Sequence, residues 1–143
     1  MESSYLIASI SNYYSKFAEK ETNKKYYFLD TGLLGLFLQD QDSKLLENQV
    51  YIHLRRNGLQ PYFLKRNTEV DFFVPEINML IQVSYSIEDE DTYQREVKGL
   101  AIAMNKFSVV KAWIITRNEE RTIKIDSGVI HVIPAWQWLL MNW

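Results

Sequence analysis

An α/β fold (α+β in its strand order), a mixed central sheet flanked by helices, is what this chain predicts, and three features predict it. Segments with a period of two alternate with segments of helical period; two strand-like runs flank a short turn and so form a hairpin; and an apolar run at residues 111–116 reads as a buried strand following a helix. The order helix, three strands, helix, strand gives a sandwich around a mixed sheet. Composition agrees, since 143 residues with 47% hydrophobic, 24% charged and no cysteine describe one globular domain and exclude disorder, a collagen-like repeat and a disulfide scaffold. A chain of this length buries roughly two-thirds of its unfolded surface, enough for a core without staples.

Residues 1–24 are polar and tyrosine-rich, with no consistent apolar period, and read as an arm left over from something upstream. The domain proper is expected at 25–143. Residues 25–29 read as a short strand, and Asp30 caps a helical segment carrying Leu33, Leu34, Leu36, Phe37 and Leu38. Over residues 43–57, Leu46, Val50 and Leu54 recur at helical spacing. Glu47, three and four residues before Val50 and Tyr51, lies at the edge of that buried stripe, an unusual place for a solvated carboxylate.

Asn57-Gly58 ends the helix, and residues 61–64 form a short strand. Residues 69–74 and 79–85 make the hairpin, joined by Pro75-Glu-Ile-Asn78. Pairing Val74 with Met79 sets Phe72 opposite Ile81 and Val70 opposite Val83 on one face, with Asp71 opposite Gln82 and Glu69 opposite Ser84 on the other. The acidic run at 88–91 suits a helix N-terminus, and the helix after it carries a stripe of Tyr93, Val97, Leu100, Ala101 and Met104. Strands follow at 111–116, 122–125 and 129–133, and Pro134 suits the first turn of a closing helix through Trp136 and Trp138.

The strongest chemical constellation is Glu47, Asp71 and Gln82, with Glu69 and Ser84 beside them. Opposed residues of an antiparallel pair have Cβ atoms about 4.5–5.5 Å apart, so Asp71 and Gln82 can offer oxygens to one point. Oxygen donors of this kind suit Mg²⁺ or Mn²⁺, which could polarise a phosphodiester and generate a hydroxide nucleophile. From periodicity alone the plainer reading is that Asp71 and Glu69 pair with Lys65, Arg66 or Arg55 and that Gln82 satisfies an edge hydrogen bond.

The ordered set Tyr27-Phe-Leu-Asp-Thr-Gly-Leu33, Leu46-Glu-Asn-Gln-Val50, Arg55-Arg-Asn-Gly58, Glu69-Val-Asp-Phe72, Ile81-Gln-Val-Ser84 and Val132-Ile-Pro-Ala-Trp136 resembles the C-terminal domain, of unknown function, of a large prokaryotic family of AAA-type ATPases. That domain is similar to the PD-(D/E)XK nuclease fold, so the resemblance implies a restriction-endonuclease-like core from about residue 25 onward. It implies that Glu47 is the helical acid, Asp71 the strand acid, and Gln82 and Ser84 the paired acid and lysine of the next strand. Two of those four positions depart from the pattern. Glutamine keeps an oxygen ligand without the charge, and serine removes the cation that would steady a developing phosphorane. Lys65 or Lys98 would have to supply it.

The resemblance also implies an upstream ATPase module as partner, and makes 1–24 the end of a winged-helix-like region preceding the domain. No G-x-x-x-x-G-K-[ST] loop occurs in the chain, so no nucleotide site is expected. Three functions follow as expectations: a nuclease-like module that binds DNA or a protein partner with weak or lost cleavage, an active Mg²⁺-dependent endonuclease, or an interaction module whose carboxylates are structural.

A net charge of −2 excludes nucleic-acid binding by bulk charge, so DNA would need a local patch, for which Arg55, Arg56, Lys65 and Arg66 are the candidates. Most of the Tyr 9, Phe 7 and Trp 4 fall at apolar periodic positions and read as core, while Trp136, Trp138 and Trp143 suit a partner surface, towards the ATPase or a second copy, so a homo-oligomer is entertained. His53 and His131 stand alone, which argues against zinc, and no G-x-S-x-G elbow supports a serine hydrolase. Neither a secretory leader nor a membrane-length apolar run is present, so a cytoplasmic protein without membrane partners is expected.

Overall fold

The pivot of the sheet is strand β5, Met79–Val83, all five residues of which are buried. It pairs antiparallel with β4, Glu69–Val74, on one side and parallel with β6, Lys111–Thr116, on the other. The whole sheet is six-stranded and mixed, in the order β3-β4-β5-β6-β8-β7, with β3 at Tyr62–Lys65, β7 at Arg121–Ile125 and β8 at Gly128–Pro134. A computed structural model describes residues 7–15, 24–30, 32 and 42–143. Three helices accompany the strands among these residues: α1, Asp42–Arg56; α2, Glu90–Phe107; and α3, Ala135–Leu139.

Alternation along the strands divides the apolar side chains between two cores. Ile81, Val83, Trp113 and Ile115 face α1 and α3, whose Leu46, Val50, Leu54 and Trp138 complete one core. Leu80, Ala112, Ile114, Ile130 and Val132 face α2, whose Leu100, Ala103 and Met104 complete the other. The expected helix stripe shifts slightly: Ala103 is buried where Ala101 is half-buried, and Glu96 and Gly99 join the buried face. Asp89 caps α2, its carboxylate accepting from the Thr92 backbone N–H at 2.9 Å, so the acidic run does serve a helix N-terminus. Pro134 differs from expectation. It pairs with Thr116 as the last residue of β8 and precedes α3 in extended conformation rather than opening the helix.

The hairpin departs from its expected register at one point that matters. Phe72 pairs with Ile81, Phe73 with Leu80 and Val74 with Met79, as the turn dictates. On the other side of β4, however, Tyr62 pairs with Phe73 while Leu64 pairs with Val70, so β4 carries one residue more than β3 between those pairs. This bulge reverses the alternation. Val70 joins the core under α2 while Phe72 stays in the core under α1, so the expected pairing of Val70 with Val83 on one face does not form. Asp71 is thereby turned toward α1.

The described part of the expected arm, residues 7–15, is packed onto the domain. Strand β1, Ile7–Ser11, pairs antiparallel with β2, Lys24–Phe28, as a separate two-stranded ribbon, and Ile10 and Tyr27 enter the core under α1. The polar reading of 1–24 missed this because Ile10 and Asn12 are its inward residues and a single apolar side chain makes no visible period. The helix expected around Leu33, Leu34, Leu36, Phe37 and Leu38 lies outside the described residues.

Two buried asparagines fasten the ribbon, each imitating a neighbouring strand. Asn12 donates to the Lys65 carbonyl at 2.7 Å and accepts from the Lys65 N–H at 3.2 Å. Asn48, on α1 beside Glu47, donates to the Phe28 carbonyl at 2.9 Å and accepts from the Phe28 N–H at 2.8 Å. Each bonds both backbone polar groups, N–H and C=O, of one residue. Replacing Asn48 by Ala removes both bonds, and we expect a stability loss of about 2 kcal/mol in urea titration at unchanged secondary structure.

Candidate functional site: a carboxylate cluster closed on a lysine

Four elements bring polar side chains to the open end of the β4–β5 pair. Helix α1 supplies Glu47, which is 8% exposed; the bulge in β4 supplies Asp71 and, at the strand's first residue, Glu69; β5 supplies Gln82; and the ribbon supplies Lys25 and Tyr27. Regular pairing between β4 and β5 stops at Phe72 and Ile81. Beyond it the side chains replace the ladder: Gln82 Oε1 accepts from the Asp71 N–H at 3.1 Å, and Asp71 Oδ2 accepts from the Val83 N–H at 2.9 Å. Both side chains are therefore committed to the backbone as well as to the site.

The Lys25 ammonium stands at the centre. It donates to Glu69 Oε1 at 2.8 Å, Asp71 Oδ1 at 3.1 Å and Glu47 Oε1 at 3.5 Å, with the Phe63 ring 5.5 Å away. The Tyr27 hydroxyl donates to the same Glu47 oxygen at 2.7 Å, its ring stacked on Tyr51 at 4.4 Å. A primary ammonium has three N–H donors, and here three carboxylates take them.

The protonation preferences follow from this packing. Burial works against the charge on Lys25, but Asp71, Glu47 and Glu69 outweigh it and hold the ammonium well above the usual lysine range. Burial, then the charge of Glu47, pushes the Tyr27 hydroxyl far above an ordinary phenol. Burial pushes the Asp71 carboxyl up to about 7, Glu47 adding to it and Lys25 opposing. Burial of Glu69 is overcome by the Lys25 ammonium, which holds that carboxyl below its usual value. One ammonium among three carboxylates leaves negative charge in excess, which adds to burial in raising the Asp71 carboxyl.

A cleft of about 570 Å³ opens beside the cluster, lined by Glu47, Glu69, Asp71 and Gln82 and by Lys44, Arg95, Glu96 and Lys98. Glu96 is buried, its carboxylate covered by the Arg95 guanidinium at 2.7 Å. Gly99 lets α2 close over this end, because a Cβ there would stand 3.1 Å from the Glu69 carbonyl oxygen.

Of the residues expected in the site, Glu47, Asp71 and Gln82 are assembled. Ser84 is buried but turned aside, its hydroxyl donating to the Ser86 carbonyl at 2.9 Å. Lys98 lines the cleft, whereas Lys65 ends β3 in register with Glu69 outside it. Arg55 donates to the Leu59 carbonyl and the Gln60 side chain, Arg56 lines a separate cavity of about 490 Å³ with His53, and Arg66 lies over the Tyr14 ring at 5.8 Å. None of the four basic residues expected to hold DNA thus lines the cleft beside the cluster. The salt-bridge partner of Asp71 and Glu69 is Lys25, not Lys65, Arg66 or Arg55. Lys25, Tyr27, Glu96, Lys44 and Arg95 escaped the sequence reading, although a signal existed for two. Lys25 shares the inward face of its strand with Tyr27, two residues on, and Glu96 sits on the α2 stripe four residues before Leu100.

As a divalent-metal site the cluster does not fit in this arrangement. The oxygens that converge do so on Lys25, Gln82 Oε1 and Asp71 Oδ2 are held by backbone N–H groups, and among the described residues no group of three or more His, Cys, Asp or Glu side chains is arranged to hold a metal ion. Nor, among these residues, is any helix long and apolar enough to cross a membrane.

Comparison with known proteins adds one relative. The chain is similar to an uncharacterized protein of Methanocaldococcus jannaschii, 32% identical over 148 aligned residues that cover 95% of the chain and 33% of the relative. The chain thus spans about a third of that protein's length. No family model matches the chain, and no solved structure matches it significantly.

The raised Asp71 value fixes the sign of a pH dependence. Folding favours the protonated carboxyl, so the stability it confers is full below the unfolded value of 3.8 and is lost as pH rises through about 7. His131, held below its usual value by burial and by Lys111, contributes with opposite sign. The melting temperature of Asp71→Asn, which keeps the acceptor for Val83, should therefore fall less between pH 5 and pH 8 than that of the wild type. Parallel curves would show that Asp71 is ionised throughout.

Proposed function

We propose that this domain is a nuclease-like module, resembling the C-terminal domain of AAA-type ATPases, that binds DNA and has lost phosphodiester cleavage. The observation that carries the reading is the cluster itself: the acids and the glutamine that the resemblance implies stand together at the open end of a mixed sheet, with Lys25 on them. Cleavage by such a site needs a group that lowers the pKa of water, and an ammonium saturated by three carboxylates neither does so nor exchanges a proton near neutral pH. Ser84, at the position of the pattern's lysine, is bonded to Ser86 instead.

Binding is the function this leaves. Lys44, Arg95 and Lys98 edge the cleft, and phosphate contacts from these side chains position a duplex without reading its sequence. The acids beside them balance their charge, so affinity is moderate and steeply salt-dependent. The upstream ATPase module belongs to this proposal as the partner that would move or remodel the bound DNA.

A second reading has its own observation. Trp136, Leu139 and Leu140 are exposed on and just after α3 at 62%, 40% and 74%, an apolar surface suited to a protein partner or a second copy. Trp138, expected to share that surface, is instead fully buried.

Incubation with supercoiled and branched DNA in Mg²⁺ or Mn²⁺ tests the first reading. We expect retarded mobility without cutting, and at least tenfold weaker binding by Lys44→Ala/Lys98→Ala with a shallower salt slope. Cutting by the wild type that Asp71→Ala abolishes would make the chain an active endonuclease. Neither binding nor cutting, with self-association abolished by Trp136→Ser/Leu140→Ser, would leave the interaction module.

A further inference from the structure

We propose that Lys25 is the resident cation of this site, an ammonium that permanently takes the place a divalent metal ion would have among these carboxylates. The inference rests on the cluster being the domain's functional site, as set out above, and goes beyond it by assigning the site's charge partner.

Three observations support the assignment. The ammonium, carried by the ribbon, is met by oxygens from α1 and from two residues of β4, elements brought together only by the fold, as the ligands of a metal would be. Lys25 is delivered by a strand with no place in the main sheet, whose seat is secured by the Asn48 clamp on the Phe28 peptide, and Asn48 follows Glu47 directly on α1. One turn of helix thus supplies both an acid for the ammonium and the fastening for the strand that bears it. Finally, Tyr27 spends its hydroxyl on Glu47 Oε1 at 2.7 Å, a neutral donor completing the shell on the same oxygen.

The alternative use of Lys25, as a displaced catalytic lysine, fits less well. Its three donors are occupied, two of them at 2.8 and 3.1 Å, so donation to a phosphate would require breaking a bond to a carboxylate first. Its side chain is also mostly covered, at 20% exposure.

The test compares the purified chain with Lys25→Met, which keeps a flexible unbranched side chain one atom shorter and removes the charge. Thermal unfolding is followed in EDTA and in millimolar Mn²⁺ or Mg²⁺, and Mn²⁺ uptake is counted directly by electron paramagnetic resonance. The wild type should take up no Mn²⁺ at this site and show no thermal shift. Lys25→Met should melt on the order of 10 °C lower in EDTA, because three carboxylates lose their counter-charge. Millimolar Mn²⁺ should restore at least half of that loss with one ion bound per chain, and Lys25→Met/Asp71→Ala should show neither effect.

Should Lys25→Met be unfolded in EDTA, folding in Mn²⁺ supports the proposal and failure to fold in both overturns it. Stoichiometric Mn²⁺ uptake by the wild type that Asp71→Ala abolishes also overturns it, as does a Lys25→Met chain as stable as the wild type and indifferent to metal. DNA takes no part in the experiment, so absence of DNA binding sinks the functional reading and leaves this inference standing.

Discussion

The ammonium of Lys25 among Glu47, Glu69 and Asp71 is the interaction on which the rest of this site depends. Asp71 and Glu47 alone would each be a costly tenant of its position. Asp71 is 6% exposed and Glu47 8%, and an unpaired charge at such a depth costs several kcal/mol. One cation serves all of them, and its own burial is tolerated for the same reason. The pairing is long-range, joining residues 22 and 46 positions apart, so it exists only once the ribbon, α1 and β4 have docked. Two asparagine clamps, at Lys65 and Phe28, then hold the ribbon where the ammonium must be.

The bulge in β4 is the second constraint, and it explains why the site faces two ways. Without it Asp71 would share the face of Phe73, beneath α2. With the extra residue, Asp71 reaches the α1 side and Gln82 stays at the gap, so the cleft runs between both helices at the end of the β4–β5 pair. The ladder stops there for the same geometric reason, and Asp71 and Gln82 supply the missing backbone partners from their side chains. Substituting either one would disturb strand pairing as well as chemistry, which is why loss of function in such variants needs a measurement of folding beside it.

Much of this was legible from local pattern. The hairpin register near its turn, the α1 stripe that made Glu47 conspicuous, and the strand at 111–116 all follow from periodicities of two and 3.6, which depend on the chain alone. What escaped depends on partners. Lys25 sits in Lys24-Lys25, where an exposed lysine and a buried one look alike until Tyr27 two residues later marks the inward face. The bulge leaves no trace in Glu-Val-Asp-Phe-Phe-Val, because an extra residue in one strand is defined only against its neighbour. Ile10 and Asn12 are sparse signals within a polar stretch, and their burial is decided by the Phe63–Lys65 edge they meet.

On the reading proposed above, a lysine at the meeting point of the carboxylates also bears on what the domain can do with water. A divalent ion binds several ligands and still offers open positions at which water becomes a better nucleophile. An ammonium offers three N–H groups and no open position, so once saturated by carboxylates it neutralises without activating. Ser84 is consistent with that state. A second lysine there would add a charge whose natural partners already hold Lys25, whereas the serine hydroxyl closes a local turn on the Ser86 carbonyl. On the reading proposed above, the geometry that satisfies Lys25 therefore also leaves no open position at which water would be activated.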